Sequence, residues 1–293
     1  MVRGRWVTGM VSGGCLESEL IGNAWDLTAN GPAIHVFDAS SEGDALWGYG
    51  LGCAGVVHVL LERVSSDDPT LDLILKSVNS GVGCLVQTVV SEGPRLGLRA
   101  VRVASDSAGD AELLLKSSDM ARGSSGIVDE FFIEHLEAPL KLAIFGAGHD
   151  AIPLAAVACQ LGWRVVVVDP REEYLSEQRF PGVDKLVRAH GKEGLGKVAM
   201  DCRTYVVLMT HNYLQDQALL EALLPSEAPY IGLLGPRARK EKLLGDLGIK
   251  GSPEKLHGPV GLDIGAEGPE EIALAIAAEI QQVHALRMKE ISR

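Results

Sequence analysis

"LAIFGAGHDAIPLA" (residues 142–155) joins a short apolar run to a glycine pair and then to a stretch with apolar side chains at helical spacing. Gly146, Gly148 and Ala151 form a GxGxxA version of the turn that carries a strand into a helix around a dinucleotide phosphate. The first glycine permits the tight turn, and the second lets a pyrophosphate approach the backbone. The next strand-like run, "RVVVVD" (164–169), ends in Asp169, 23 residues beyond Gly146, where a ribose-binding acid is expected. A doubly wound domain can also keep such a turn for packing alone, so both readings stand at this point.

Outward from that turn, "KLAIF" (141–145), "TYVVLM" (204–209) and "YIGLL" (230–234) are likewise continuous apolar runs, the mark of strands buried on both faces. Between them, "DAIPLAAVACQLG", "LQDQALLEALL" and "PRARKEKLLGDLG" carry apolar residues at helical spacing. "PEEIALAIAAEIQQVHALRMKE" opens with Pro269 and two acids, as a helix N-terminus should. This alternation predicts βαβ units around a parallel sheet. Residues 1–138 are less regular. They read as a helix over about 15–29, strands "AIHVFD" and "VVHVLLERV", a helix "TLDLILKSVNSG", the strand pair "CLVQTVV" and "LRAVRVA", and a closing strand "FFIEHL" after the polar stretch "DMARGSSGIVDE". The fold class is therefore α/β: an N-terminal α+β domain (1–138) followed by a Rossmann-like, doubly wound parallel-sheet domain (139–293).

The chain has 293 residues, 46% of them hydrophobic, enough for two domains with their own cores. No apolar run reaches the ~18 residues of a membrane span and the N-terminus lacks a signal-peptide core, so a cytoplasmic protein without membrane contact is expected. Net charge is −12, which repels polyanions and argues against nucleic acid. Small anions can still bind where helix N-termini supply a local positive field. Five cysteines without a CxxC pair do not form a zinc ribbon or disulfide framework.

In an open parallel sheet all strand carboxyl ends face one rim, which would gather His149, Asp169, His211 (ending "YVVLMT") and Arg237 around one crevice. Gly235 ends its strand just before Pro236, Arg237, Arg239 and Lys240. These cations in a helix's first turn oppose its dipole, a conflict that either a bound phosphate or plain solvation relieves. Asp263 lies in the glycine-rich loop "GPVGLDIGAEGPEEIA". In "VSGGCLESEL" (11–20), Ser12, Gly13 and Gly14 precede Cys15 at a helix start, a position that favours thiolate. Cys53 sits in a second glycine-rich turn, "GYGLGCAGV". Cys15 and Cys53 read either as part of a soft-ligand or sulfur-handling site or as small core side chains; Cys84, Cys159 and Cys202 read as core. His35 and His58 read as structural.

Taken together, "GMVSGGCLE", "GLGCAG", "LAIFGAGHDAIPLA", "VVDPREEY", "RFPG", "MTHNYLQDQALL", "YIGLLGPRARK" and "GPVGLDIGAEGPEEIALAIAAEI" resemble, in order, the xanthine dehydrogenase accessory factor family, XdhC/CoxI. The resemblance implies a chaperone-like maturation factor rather than a turnover enzyme. Such a protein binds the molybdenum cofactor of molybdopterin type, keeps it while a cysteine desulfurase installs its terminal sulfur, and hands it to a molybdenum hydroxylase apoenzyme. The phosphate end would suit the Gly146–Gly148 turn and the Arg237 turn, and the soft metal end Cys15 and Cys53. The alternative is an NAD(P)-dependent oxidoreductase with Asp169 on the ribose, favouring NAD, and His211 as general acid or base. Three departures from the family are visible. Several tens of residues usually precede "SGGCLE", so either the start is misassigned or the first domain is shortened, with apolar surface that a homodimer would cover. Ala54 stands where Gly is common, and Pro236 where Ser is common.

Overall fold

The computed structural model describes residues 1, 5–11, 15–38, 55–103, 106–110 and 125–291. The chain divides into two compact units, Met1–Ala138 and Pro139–Arg293.

In the first unit, α1 (Cys15–Leu27) packs Leu20 and Ala24 on Leu61 of an antiparallel ribbon, β1 (Ala33–Asp38) and β2 (Val56–Leu61). Helix α2 (Pro69–Ser80) starts where Asp68 accepts from the Thr70 amide and stops at Gly81, whose φ of 70° closes the C-terminus. It lays Leu73 on an antiparallel sheet of order β5-β4-β3-β7-β6. Those strands are β3 (Cys84–Val89), β4 (Arg99–Val103), β5 (Asp106–Gly109), β6 (Gly126–Val128) and β7 (Phe131–Leu136). The polar stretch 119–130 thus yields a short strand at its end. The unit is α+β, as its irregular pattern predicts.

The second unit is a six-stranded parallel sheet of order β10-β9-β8-β11-β12-β13. Its elements are β8 (Lys141–Phe145), α3 (Ala151–Gln160), β9 (Arg164–Asp169), β10 (Lys185–Arg188), α4 (Gly191–Lys197), β11 (Thr204–Leu208), α5 (Tyr213–Leu223), β12 (Ile231–Leu233), α6 (Arg237–Asp246), β13 (Leu256–His257) and α7 (Pro269–Ile291). Every central strand contributes to two cores. Leu142, Ile144, Val165, Val167, Tyr205 and Val207 face α3 and α7, whereas Ala143, Phe145, Val168, Val206 and Leu208 meet Leu219, Leu220 and Leu223 of α5 and Leu243 of α6. That double burial is why these strands read as unbroken apolar runs. The short edge strands β10 and β13 and the seven-residue α4 carry no such pattern, and the sequence reading passes over them.

The chain leaves β8, winds outward through β9 and β10, and then crosses back to β11 on the other side of β8. The rim between β8 and β11 is therefore the topological switch point, where open α/β sheets hold ligands. Here two backbones come close. The Met209 amide donates to the Phe145 carbonyl (2.8 Å) and the Gly146 amide to the Val168 carbonyl (2.8 Å). Gly146 has φ 113°, and a Cβ on it would lie 2.2 Å from the Met209 carbonyl oxygen. This glycine is demanded by the fold itself. Gly146→Ala should cost about 3 kcal/mol or more, through strained backbone plus overpacking, and lower Tm by on the order of 10 °C. Thermal unfolding indistinguishable from wild type would show that the turn is not held this way.

Candidate functional site

The strand-end rim carries two cavities. The first, of about 340 Å³, is lined by Gly146 after β8, Asp169 to Arg171 after β9, Ala189 and Gly191 after β10, and Thr210 to Asn212 with Gln215 after β11. The second, of about 660 Å³, is lined by Leu234 to Pro236 after β12, the segment Pro259 to Ile264, Ala266, and Ile272 and Ala275 of α7. The predicted site residues thus separate. Gly146, Asp169 and His211 share one cavity; Gly235 and Asp263 share the other.

Asp169 shapes the first cavity. It is only 2% exposed. Its Oδ2 accepts from the Ala147 amide (2.8 Å) and Arg171 Nη2 (2.9 Å), and its Oδ1 from the Arg171 amide and Nε (both 2.9 Å). Burial alone would raise the carboxyl's pKa, but the hydrogen bonds from Arg171 and the Ala147 and Arg171 amides outweigh it and hold the group below its ordinary value. A carboxylate has about four lone-pair sites, and all four are occupied. In this arrangement the acceptor sites of Asp169, expected to face a ribose, are taken by the chain's own donors. Arg171 is the group at the cavity wall, and its guanidinium lies 3.8 Å from the Tyr174 ring centroid. Arg179 approaches the same ring and donates to the Ala147 carbonyl (2.9 Å).

The glycine turn is held from below and open above. A Cβ on Gly148 would meet only the His211 ring, at 3.8 Å, an ordinary contact. The protein's own packing thus does not require glycine there. The amides of Gly148, His149 and Asp150 donate to no backbone carbonyl among the described residues, and Asp150 makes no capping bond to α3. That carboxylate instead pairs with His211, whose Nε2 lies 3.0 Å from Asp150 Oδ2. His211 adopts φ 54°, rare for a residue with a side chain, and this conformation carries its ring back across the turn. His149 is exposed and is not part of the cavity wall.

On the β11 side, Thr210 donates to Asp216 Oδ1 (2.6 Å) and Arg239 Nη2 to Oδ2 (2.7 Å), so this 1% exposed carboxylate ties α5 to α6. Asn212 Oδ1 caps α5 by accepting from the Gln215 amide. Two of the three cations after β12 have carboxylate partners within the chain. Arg239 turns inward to Asp216, and Arg237, its side chain 80% exposed, pairs with Glu241 on its own helix. Arg237 does not join Asp169 and His211 at the first cavity, against expectation. Gly235, φ 126°, leaves room for the Arg239 side chain, since a Cβ there would lie 2.8 Å from its Cδ.

In the first unit, Cys15 is the first residue of α1, and His35 pairs with Glu19 (2.9 Å) as a structural histidine. Ser12, Gly13, Gly14, Cys53 and Ala54 lie outside the described residues. Among the described residues no group of three or more His, Cys, Asp or Glu could hold a metal. Cys84 is buried, as expected for a core residue, and burial raises its thiol pKa; Cys202, expected in the core, is exposed because it precedes the strand instead of lying on it. Sequence reasoning passes over Arg171, Asp150 and Thr210. The one signal for Arg171 is its place two residues beyond a strand-end acid.

The XdhC Rossmann domain family model matches residues 142–280. A protein of Bacillus subtilis (strain 168), named as a probable xanthine dehydrogenase component, is 32% identical over 283 residues, 94% of this chain and 83% of that one. An uncharacterized protein of Escherichia coli (strain K12), YqeB, is 36% identical over 164 residues, 54% of this chain and 30% of its own length. The crystal structure of a xanthine dehydrogenase from Bacillus halodurans superposes with TM-score 0.79 and 32% identity over 96% of this chain and 83% of that one. No helix among the described residues is long and apolar enough to cross a membrane.

Two outcomes test this geometry. Gly148→Ala should fold normally, within about 1 kcal/mol of wild type by thermal unfolding, in contrast to Gly146→Ala. For Asp169, a lowered folded pKa means stability that is present above the ordinary carboxyl value of 3.8 and lost as pH falls through the folded value. Asp169→Asn should cost on the order of 1–3 kcal/mol at neutral pH, less than a fully buried pair because Arg171 is 44% exposed. The gap from wild type should narrow as pH falls below the ordinary carboxyl value in Tm-versus-pH profiles; a gap independent of pH would contradict the pairing.

Proposed function

The chain belongs to the XdhC family, and from that premise we propose that it is a maturation factor that holds the molybdenum cofactor for a xanthine dehydrogenase-type molybdenum hydroxylase. In this reading it keeps the cofactor while a cysteine desulfurase sulfurates it and then delivers it to the apoenzyme. The Bacillus relatives named as xanthine dehydrogenase proteins support the partner class. The observation that supports the reading is the glycine turn itself: at Gly148 a Cβ would meet nothing nearer than the His211 ring, 3.8 Å away, and the amides of Gly148, His149 and Asp150 have no backbone partner among the described residues, on the rim where the strand order reverses.

A phosphate-bearing cofactor fits that turn. The amides of Gly148, His149 and Asp150 and the N-terminal field of α3 favour a negative group. When bound, the cofactor supplies the molybdenum–dithiolene centre on which the hydroxylase depends. The chain's own part is to bind and orient. The turn holds the anionic end, and His211, whose Nε2 is latched to Asp150, stands beside the approach. Cys15 and Cys53 are the residues we assign to the soft metal end, because thiolates suit such a metal where carboxylates do not.

The test is mass spectrometry of the ligand carried by natively purified protein, with molybdopterin the expected species. Gly148→Ala should retain at least about tenfold less of it while keeping wild-type Tm, a loss of ~1.4 kcal/mol in binding. Cys15→Ala should retain the pterin but lose molybdenum. Equal pterin and metal content in wild type and both variants would overturn the assignment.

A further inference from the structure

The Asp169–Arg171 pair leaves the first cavity with an unusual complement of donors. A guanidinium carries five N–H groups. Nε–H and one Nη2–H of Arg171 go to Asp169, and the other three make no hydrogen bond among the described residues. The bidentate grip and the Tyr174 ring, 3.8 Å from the guanidinium carbon, fix the plane of the fork. Glu172, the adjacent acid, is held by Arg188 Nη1 (2.5 Å) and does not compete for Arg171. The wall therefore offers a rigid cationic donor edge where a ribose-binding site would offer a carboxylate acceptor. At about 340 Å³ the cavity is at the small end of the ~300–1,000 Å³ range of ligand pockets, room for a nucleoside-sized group and not for a whole dinucleotide. Its walls include Pro170 and Arg171 on one side and Thr210 and Gln215 on the other.

We infer that this cavity takes a nucleotide whose ribose carries a phosphomonoester, so that the protein binds 2′-phosphorylated adenine nucleotides in preference to those with a free ribose diol. The extra phosphate is an acceptor-only, charged group and matches the free edge of Arg171. A ribose diol must donate to a carboxylate to be recognised at this place, and Asp169 has no lone pair left unless Arg171 is displaced. The inference rests on this cavity alone and does not depend on the molybdenum reading.

Isothermal titration of the full chain with adenosine 2′,5′-bisphosphate and with AMP, at one fixed ionic strength, tests it. The bisphosphate should bind about tenfold more tightly or better to wild type. Arg171→Gln, folded by circular dichroism, should bring the ratio to near one by weakening the bisphosphate and not AMP. If that variant does not fold, Arg171→Lys, which keeps a charge beside Asp169 but not the fork, should give a ratio between the two. AMP binding as tightly as the bisphosphate to wild type would mean that the diol displaces Arg171, and would overturn the inference. So would no binding of either at millimolar ligand, or a ratio that the Arg171 variants leave unchanged. Neither arm involves molybdenum, so failure here and failure of the maturation reading are separately visible.

Discussion

The rim of the second unit is organised around the carboxylate of Asp169. A single buried group at the end of β9 accepts from the amide of Ala147, inside the turn that follows β8, and from both backbone and side chain of Arg171. It thereby joins the exits of two neighbouring strands and aims the glycine turn. A buried carboxylate lacking such donors would be costly, by several kcal/mol, or would take up a proton. Here its four acceptor sites are filled, and it stays ionised.

Across the switch point, Asp216 does the same for the other side. Thr210, at the end of β11, and Arg239, in the first turn of α6, converge on a carboxylate that belongs to α5. Two buried acids, each matched by one arginine, thus brace the rim on either side of Gly146. The consequence for binding is that Asp169 lines the first cavity with its acceptor sites already occupied, and Asp216 is not among that cavity's lining residues. Beside the first cavity the partly exposed group is the arginine, with its side chain 44% exposed. A chain of net charge −12 consequently presents, at this one place, glycine amides and a guanidinium.

Under the second cavity a third carboxylate anchors α7. Glu279 accepts from Tyr230 Oη and the Gly261 amide and lies 3.0 Å from His257 Nδ1, while the Tyr230 and His257 rings stack at 4.4 Å. Burial would raise the Glu279 carboxyl, but its hydrogen bonds hold it below the ordinary value; Tyr230 is pushed well up by burial and by that negative neighbour. Gly235 and Asp263 line this cavity. The sequence reading gathers Arg237 into one crevice with Asp169 and His211, but the strand order puts the turn after β12 two strands away from β8.

By itself the sequence determined the class of both units, the parallel sheet of the second and the place of its glycine turn. Those features rest on local signals: strands buried on both faces need continuous apolar runs, and a backbone at φ 113° against a neighbouring carbonyl admits glycine alone. The edge strands β10 and β13 were illegible because they are four and two residues long and bury little. What only the tertiary structure decided is which charges meet. Asp169 looked free for a ribose because its partners, an amide 22 residues away and a side chain two residues on, become neighbours only when β8 and β9 lie side by side. Arg237 and Arg239 looked alike in sequence, yet one turns to a buried carboxylate and the other to solvent, since Asp216 comes within reach of Arg239 only through the packing of α5 and α6. Hydrogen-bond partners far apart along the chain are fixed by packing, so the chemistry of the rim was settled by the fold and not by any motif.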